Sequence, residues 1–147
     1  MDRLYAYALL LSEGYDVWDE YNKVLDELFL SEPENEEYLY LEGISDIKTT
    51  VLYLLAQMQQ NAVDVQIFGS TFMNLLRAAY SKDDIYKFGR HMYLIWQKLP
   101  DVLQKQEPFL CLSYADDPLS WGDEKQSREL YEDVMNYFQK EKNQYDN

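Results

Sequence analysis

Residues 16–43 read DVWDEYNKVLDELFLSEPENEEYLYLEG. In the first half, Val17, Tyr21, Val24, Leu25 and Leu28 recur at steps of three and four. That spacing gathers apolar side chains on one side of an α-helix. Asp16, Asp19, Glu20, Lys23, Asp26 and Glu27 fill the other positions and must face water or a partner. Asp16 is placed to cap this helix. Ser31-Glu32-Pro33 then signals a restart, because proline is at home in a first helical turn. Glu34, Glu36 and Glu37 follow where the positive end of a helix dipole favours them. The second helix runs to about Glu42 and meets Gly43, either a break or only a weak point.

The same helical period extends in both directions. Upstream, Asp2 to Glu13 forms a first core helix stopped by Gly14. Its run Leu4–Leu11, LYAYALLL, has the apolarity of a signal peptide, but only Arg3 precedes it, offset by Asp2, and Ser12-Glu13-Gly14 follows where a small-residue cleavage site would sit. Downstream, Ser45 or Asp46 caps a helix through Ile47, Val51, Leu54, Leu55 and Met58. Its apolarity marks it as the central helix. Residues 62–68, AVDVQIF, alternate as a short extended segment would, or open the next helix. Ser70 then caps a helix carrying Phe72, Met73, Leu75, Leu76 and Ala79. Ser81 with Asp84 resembles a capping box ahead of Ile85, Phe88, Met92, Ile95 and Trp96. Pro108 to Pro118 reads as an ordered loop whose Phe109-Leu110-Cys111-Leu112 packs down on the core. Asp123 opens a last helix, and the chain frays from about residue 143. The expectation is a single all-α domain over residues 1–147, compact, with about six or seven helices.

The 147 residues carry 13 basic and 27 acidic side chains, a net charge of −14. Such a balance argues against nucleic acid or an anionic membrane as a direct partner. The longest uncharged run, Thr49 to Val63, is too short and too rich in Gln and Asn for a membrane span. A cytoplasmic protein is expected, and a lone Cys111 fits a reducing compartment. The charge is also uneven. Residues 1–60 hold 13 acidic and three basic side chains, whereas 61–107 hold five and six. Asp16 to Glu42 alone carries ten carboxylates against Lys23. Self-repulsion on this scale destabilises a compact state. Tyr is abundant too, 14 in all, with Tyr15 next to the acidic stretch and Tyr21, Tyr38 and Tyr40 inside it. Tyr38 and Tyr40 lie two apart on a helix, so at least one must be exposed.

No catalytic constellation stands out. His91, the single His, sits beside Arg90 and four residues after Lys87, surroundings that suit a structural His better than a metal ligand. Cys111 lies in an apolar run and reads as a buried, inert thiol. One Cys and one His cannot build the usual zinc site. Asp83-Asp84 fits helix-start electrostatics, and Asp116-Asp117 fits loop chemistry before Pro118. Calcium loops, di-iron helices and glycine-rich phosphate loops are all missing. No cofactor, no metal and no enzymatic role are expected.

Acidic, Tyr-rich and without a catalytic motif, the chain resembles the small acidic all-helical immunity proteins of bacterial contact-dependent inhibition and polymorphic toxin systems. The resemblance is one of type, carried by residues 16–43. It implies stoichiometric inhibition of a cognate basic toxin, often a nuclease whose groove the acidic face blocks. The expected partner-binding residues are Asp16, Asp19, Glu20, Asp26, Glu27, Glu34, Glu36, Glu37, Tyr38 and Tyr40. The competing expectations are a nucleic-acid mimic aimed at restriction or CRISPR machinery and a helical regulatory or scaffold protein.

Overall fold

The computed structural model describes residues 1–139. The segment expected to fray, from about residue 143, lies outside the described residues. Eight α-helices and two 3₁₀ helices, with no strand, make up the described chain. They are α1 (Asp2–Ser12), α2 (Trp18–Ser31), α3 (Glu36–Glu42), α4 (Ile47–Gln60), α5 (Val65–Lys82), α6 (Ile85–Lys98), α7 (Asp101–Gln104), η1 (Phe109–Ser113), η2 (Asp117–Trp121) and α8 (Glu124–Met135). The all-α class is as expected. The helix count exceeds six or seven because the expected loop is itself coiled into η1 and η2, with α7 ahead of it. Phe109 and Leu112 of η1 are fully buried, so the loop does pack on the core.

The centre of the molecule is α1, not α4. Every residue from Leu4 to Leu11 is buried, whichever side of the helix it occupies. A helix apolar all round has no face to give to water and must be enclosed. Around it pack α4 and α5 most extensively, then α2 and α6. Helix α4 is apolar in composition but one-sided in use. Thr50, Val51, Leu54 and Met58 are buried, while Ile47 and Leu52 stay exposed. Gly14 ends α1 with φ at +84°, a left-handed value that glycine adopts without strain.

Several helix starts differ from the sequence expectation. Val17 occupies the cap position of α2, and Asp16 makes no capping bond. Pro33 and Glu34 lie in the turn before α3, whose cap is Asn35. Its side chain accepts from the backbone N–H of Glu37 and of Tyr38. Asp46 caps α4 through Thr49 N–H, so Gly43 marks a true break between α3 and α4. Residues 62–68 resolve as a helix start, with Asp64 capping α5. Ser70 therefore falls inside α5, and so does Ser81, whose hydroxyl donates back to the Ala78 carbonyl. Asp84 alone caps α6. Asp123 caps α8 as expected.

The segment that follows α8 closes against α5 at Gly69. A Cβ there would stand 2.2 Å from the Phe138 ring, so only glycine lets the ring approach. Arg77 of α5 also donates to the Met135 carbonyl.

Candidate protein-binding face

The hairpin of α2 and α3 carries most of the expected site. Helix α2 turns Tyr21, Val24 and Leu25 inward, with Trp18 stacked on Tyr21 at 5.1 Å. Asp19, Glu20, Lys23, Asp26 and Glu27 stay exposed on the outer side. A four-residue turn, Glu32 to Asn35, folds α3 back against α2. Glu34 on that turn and Glu36 at the start of α3 are exposed as well. None of these six carboxylates, from Asp19 to Glu36, lies within ion-pair distance of a cation among the described residues.

Apolar groups stand in the middle of this charge. Leu30 is 75% exposed, Leu39 58% and Tyr40 52%. Helical spacing puts Leu30 one turn beyond Asp26 and Leu39 one turn before Glu42. Asp26, Phe29, Leu30 and Glu42 line a shallow cleft between the two helices. On the far side of α3, the Tyr40 ring tilts against Tyr53 of α4 at 4.7 Å. Exposed apolar side chains beside unpaired charge are the materials of which protein interfaces are made, a hydrophobic core with a polar rim.

Three expected site residues sit elsewhere. Asp16 lies at the other end of α2, where it lines a small pocket with Tyr15, Val17 and Lys82. Tyr38 is buried, and its hydroxyl accepts a hydrogen bond from the Met1 amino group. Burial first, then nearby carboxylates, raises that phenol above its ordinary range. Of the Tyr38/Tyr40 pair, Tyr40 is the exposed member. Glu37 is half-buried, with Oε2 turned inward and without a hydrogen-bond partner. Its charge is felt by the hydroxyls of Tyr5, Tyr38 and Tyr53, each pushed up in the first place by burial.

A second polar cluster lies between α1 and α6, assembled from residues far apart in sequence. Glu13 receives Lys98 Nζ at 2.5 Å and His91 Nδ1 at 2.9 Å. Lys98 also donates to Ser12 Oγ. The Tyr15 ring stands edge-on to His91, while its hydroxyl donates to Asp83 at 2.7 Å. Burial pushes the Glu13 carboxyl up, but the hydrogen bonds from Lys98 and His91 outweigh it and hold the group below its ordinary value. The surroundings of His91 are thus not only basic, as its sequence neighbours implied. Glu13 approaches it from another helix, and no signal in the sequence links the two.

Cys111 is buried, and burial raises its thiol. No group of three or more His, Cys, Asp or Glu among the described residues is arranged to hold a metal ion. No helix among them is long and apolar enough to cross a membrane. The chain matches no protein-family model, no curated protein and no solved structure.

Proposed function

We propose that this chain is an immunity protein that binds a basic protein toxin, a nuclease domain above all, and blocks it through the α2–α3 face. One observation supports this above the others. Asp19, Glu20, Asp26, Glu27, Glu34 and Glu36 are exposed without cation partners around exposed Leu30 and Leu39. A protein selected for solubility alone would mix signs on such a surface. Here repulsion is tolerated, as it is where a partner supplies the opposite charge. In the complex the carboxylates stand in for nucleic-acid phosphates opposite toxin Lys and Arg. Leu30 and Leu39 form the desolvated centre, with Tyr40 at its edge, and the outer charges set the encounter rate. Inhibition then needs occupancy and no bond chemistry from this chain, and it takes place in the cytoplasm.

The test is co-purification with the product of the neighbouring gene, followed, where a basic domain is captured, by calorimetry and a growth-protection assay. Reversal of Asp26, Glu27 and Glu36 to Lys is expected to weaken binding about 100-fold, on the order of 3 kcal/mol. The same variant should flatten the salt dependence of association. Affinity and protection equal to wild type would exclude this face as the interface. Equal inhibition of several unrelated nucleic-acid enzymes would favour phosphate mimicry instead.

A further inference from the structure

Helices α2 and α6 are each 14 residues long, and they turn matching stripes outward. On α6 the exposed side chains are Tyr86, Lys87, Arg90, Tyr93, Leu94 and Gln97. On α2 they are Asp19, Glu20, Lys23, Asp26, Glu27 and Leu30, with Ser31 at the end. Both stripes run i, i+1, i+4, i+7, i+8 and i+11, which covers about a third of a helix surface. Their chemistry is opposite. Helix α6 contains no carboxylate, in a chain of net charge −14. Arg90, in the middle of its stripe, has no carboxylate within ion-pair distance among the described residues, and Lys87 has Asp83 at 3.9 Å. Tyr86, Tyr93 and Leu94 stand exposed beside these cations. The Tyr93 ring stacks on Trp96 at 6.0 Å, and the Trp96 indole donates to the Gln104 carbonyl, so the ring is held from behind. Tyr and Arg on firm support are the residues that dominate interface energetics.

We propose that the α6 face docks on the α2 face of a second copy of this chain, head to tail, with the two helices antiparallel. Charge selects both the occupant and the direction. Laid parallel, the equal stripes set Arg90 opposite Lys23. Laid antiparallel, they set Arg90 opposite Asp26, Tyr93 opposite Lys23 and Tyr86 opposite Leu30. An ion pair, a cation–π contact and an apolar contact then replace a repulsion. The net charge of −14 opposes the approach of two copies, but physiological salt screens it beyond about 8 Å and leaves the contact pairs to decide. One helix laid on another buries less than about 1,200 Å² in total, so the association is weak and reversible. The α2 face cannot hold a toxin and a second copy at once, so a basic partner of the kind proposed above displaces the copy. The inference stands on the two faces alone and holds whether or not a toxin is the partner.

The full chain is followed by sedimentation velocity and small-angle scattering from about 10 µM to about 1 mM at physiological salt. Reversible association is expected, open-ended or ring-closed as the rotation between copies dictates, and it should weaken in high salt. Arg90→Ala with Tyr93→Ala, and separately Asp26→Ala with Glu27→Ala, should each weaken it at least about tenfold. All four positions are exposed, and circular dichroism checks that both variants fold. Mixed in equal amounts, the two variants bring one intact face each and should form a one-to-one dimer and nothing larger. A chain that stays monomeric over the whole range overturns the proposal. So does association that strengthens with salt, or a pair of variants that mixing does not rescue. Dimers that survive Asp26→Ala/Glu27→Ala but not the α6 variant mean a symmetric α6–α6 contact, which also overturns it.

Discussion

Helices α1 and α2 are neighbours in sequence and in space, yet they divide the work of the protein. In α1, Leu4 to Leu11 are buried on all sides, and the helix is the element others pack around. In α2, three residues are fully buried, and the opposite side is given to unpaired charge. Stability is concentrated where the sequence has no polar face, and the proposed recognition where it has a surplus of one. The acidic hairpin can afford repulsion because the core under it is anchored elsewhere.

The largest effect expected from breaking this division is at the centre. Leu9→Ala removes a fully buried side chain from α1 and should cost about 2–5 kcal/mol, read from urea unfolding. A cost below about 1 kcal/mol would show that α1 is not the hub.

Glu13→Gln comes next. It removes the charge that joins the end of α1 to Lys98 and His91 of α6, at about 1–3 kcal/mol near neutral pH. Because the folded Glu13 carboxyl lies below its ordinary value of 4.5, its contribution is complete above that pH. It fades as pH falls through the lower folded-state value. Wild type and variant should therefore converge in stability on acidification, and a constant gap would assign the effect to packing.

Asn35→Ala removes the cap of α3 and should cost about 1 kcal/mol, seen first as faster amide exchange at Glu37 and Tyr38. The smallest effect is expected from reversing Asp26, Glu27 and Glu36 to Lys. Stability should stay within about 0.5 kcal/mol of wild type, or rise, as repulsion is relieved. Unfolding of that variant would mean that the acidic side is structural.

Periodicity made most helices legible, and so were the cap Asp123 and, as one of two candidates with Ser45, the cap Asp46; at α6 the capping-box reading put Ser81 at the cap, three residues before Asp84, which holds it. Asp64 was hidden because Val63 and Val65 on either side of it imitate strand alternation. Asp16 and Pro33 looked like helix starts but sit too early, Asp16 by one residue and Pro33 by two from the caps Val17 and Asn35. The burial of α1 was written in LYAYALLL, yet amphipathic counting looks for a stripe and undervalues a helix that has none. Within the site, the exposed acids of α2 followed from the apolar stripe behind them. The inward turn of Tyr38 and Glu37 did not, because α3 has only seven residues and its rotation is set by packing on α2. The Glu13–His91–Lys98 cluster depends on how α1 and α6 pack, which no local pattern encodes.

That α1 lies at the hub has a consequence for biosynthesis. The helix leaves the ribosome before α4 and α5, the two elements that enclose it. Until residue 82 has emerged, LYAYALLL is covered in part by α2 and α4, and the side that α5 takes stays open. The nascent chain thus carries a partly open apolar helix until α5 has been made. Its safe passage falls to trigger-type chaperones or to speed of elongation, and a pause placed before α5 would be the most hazardous in the message.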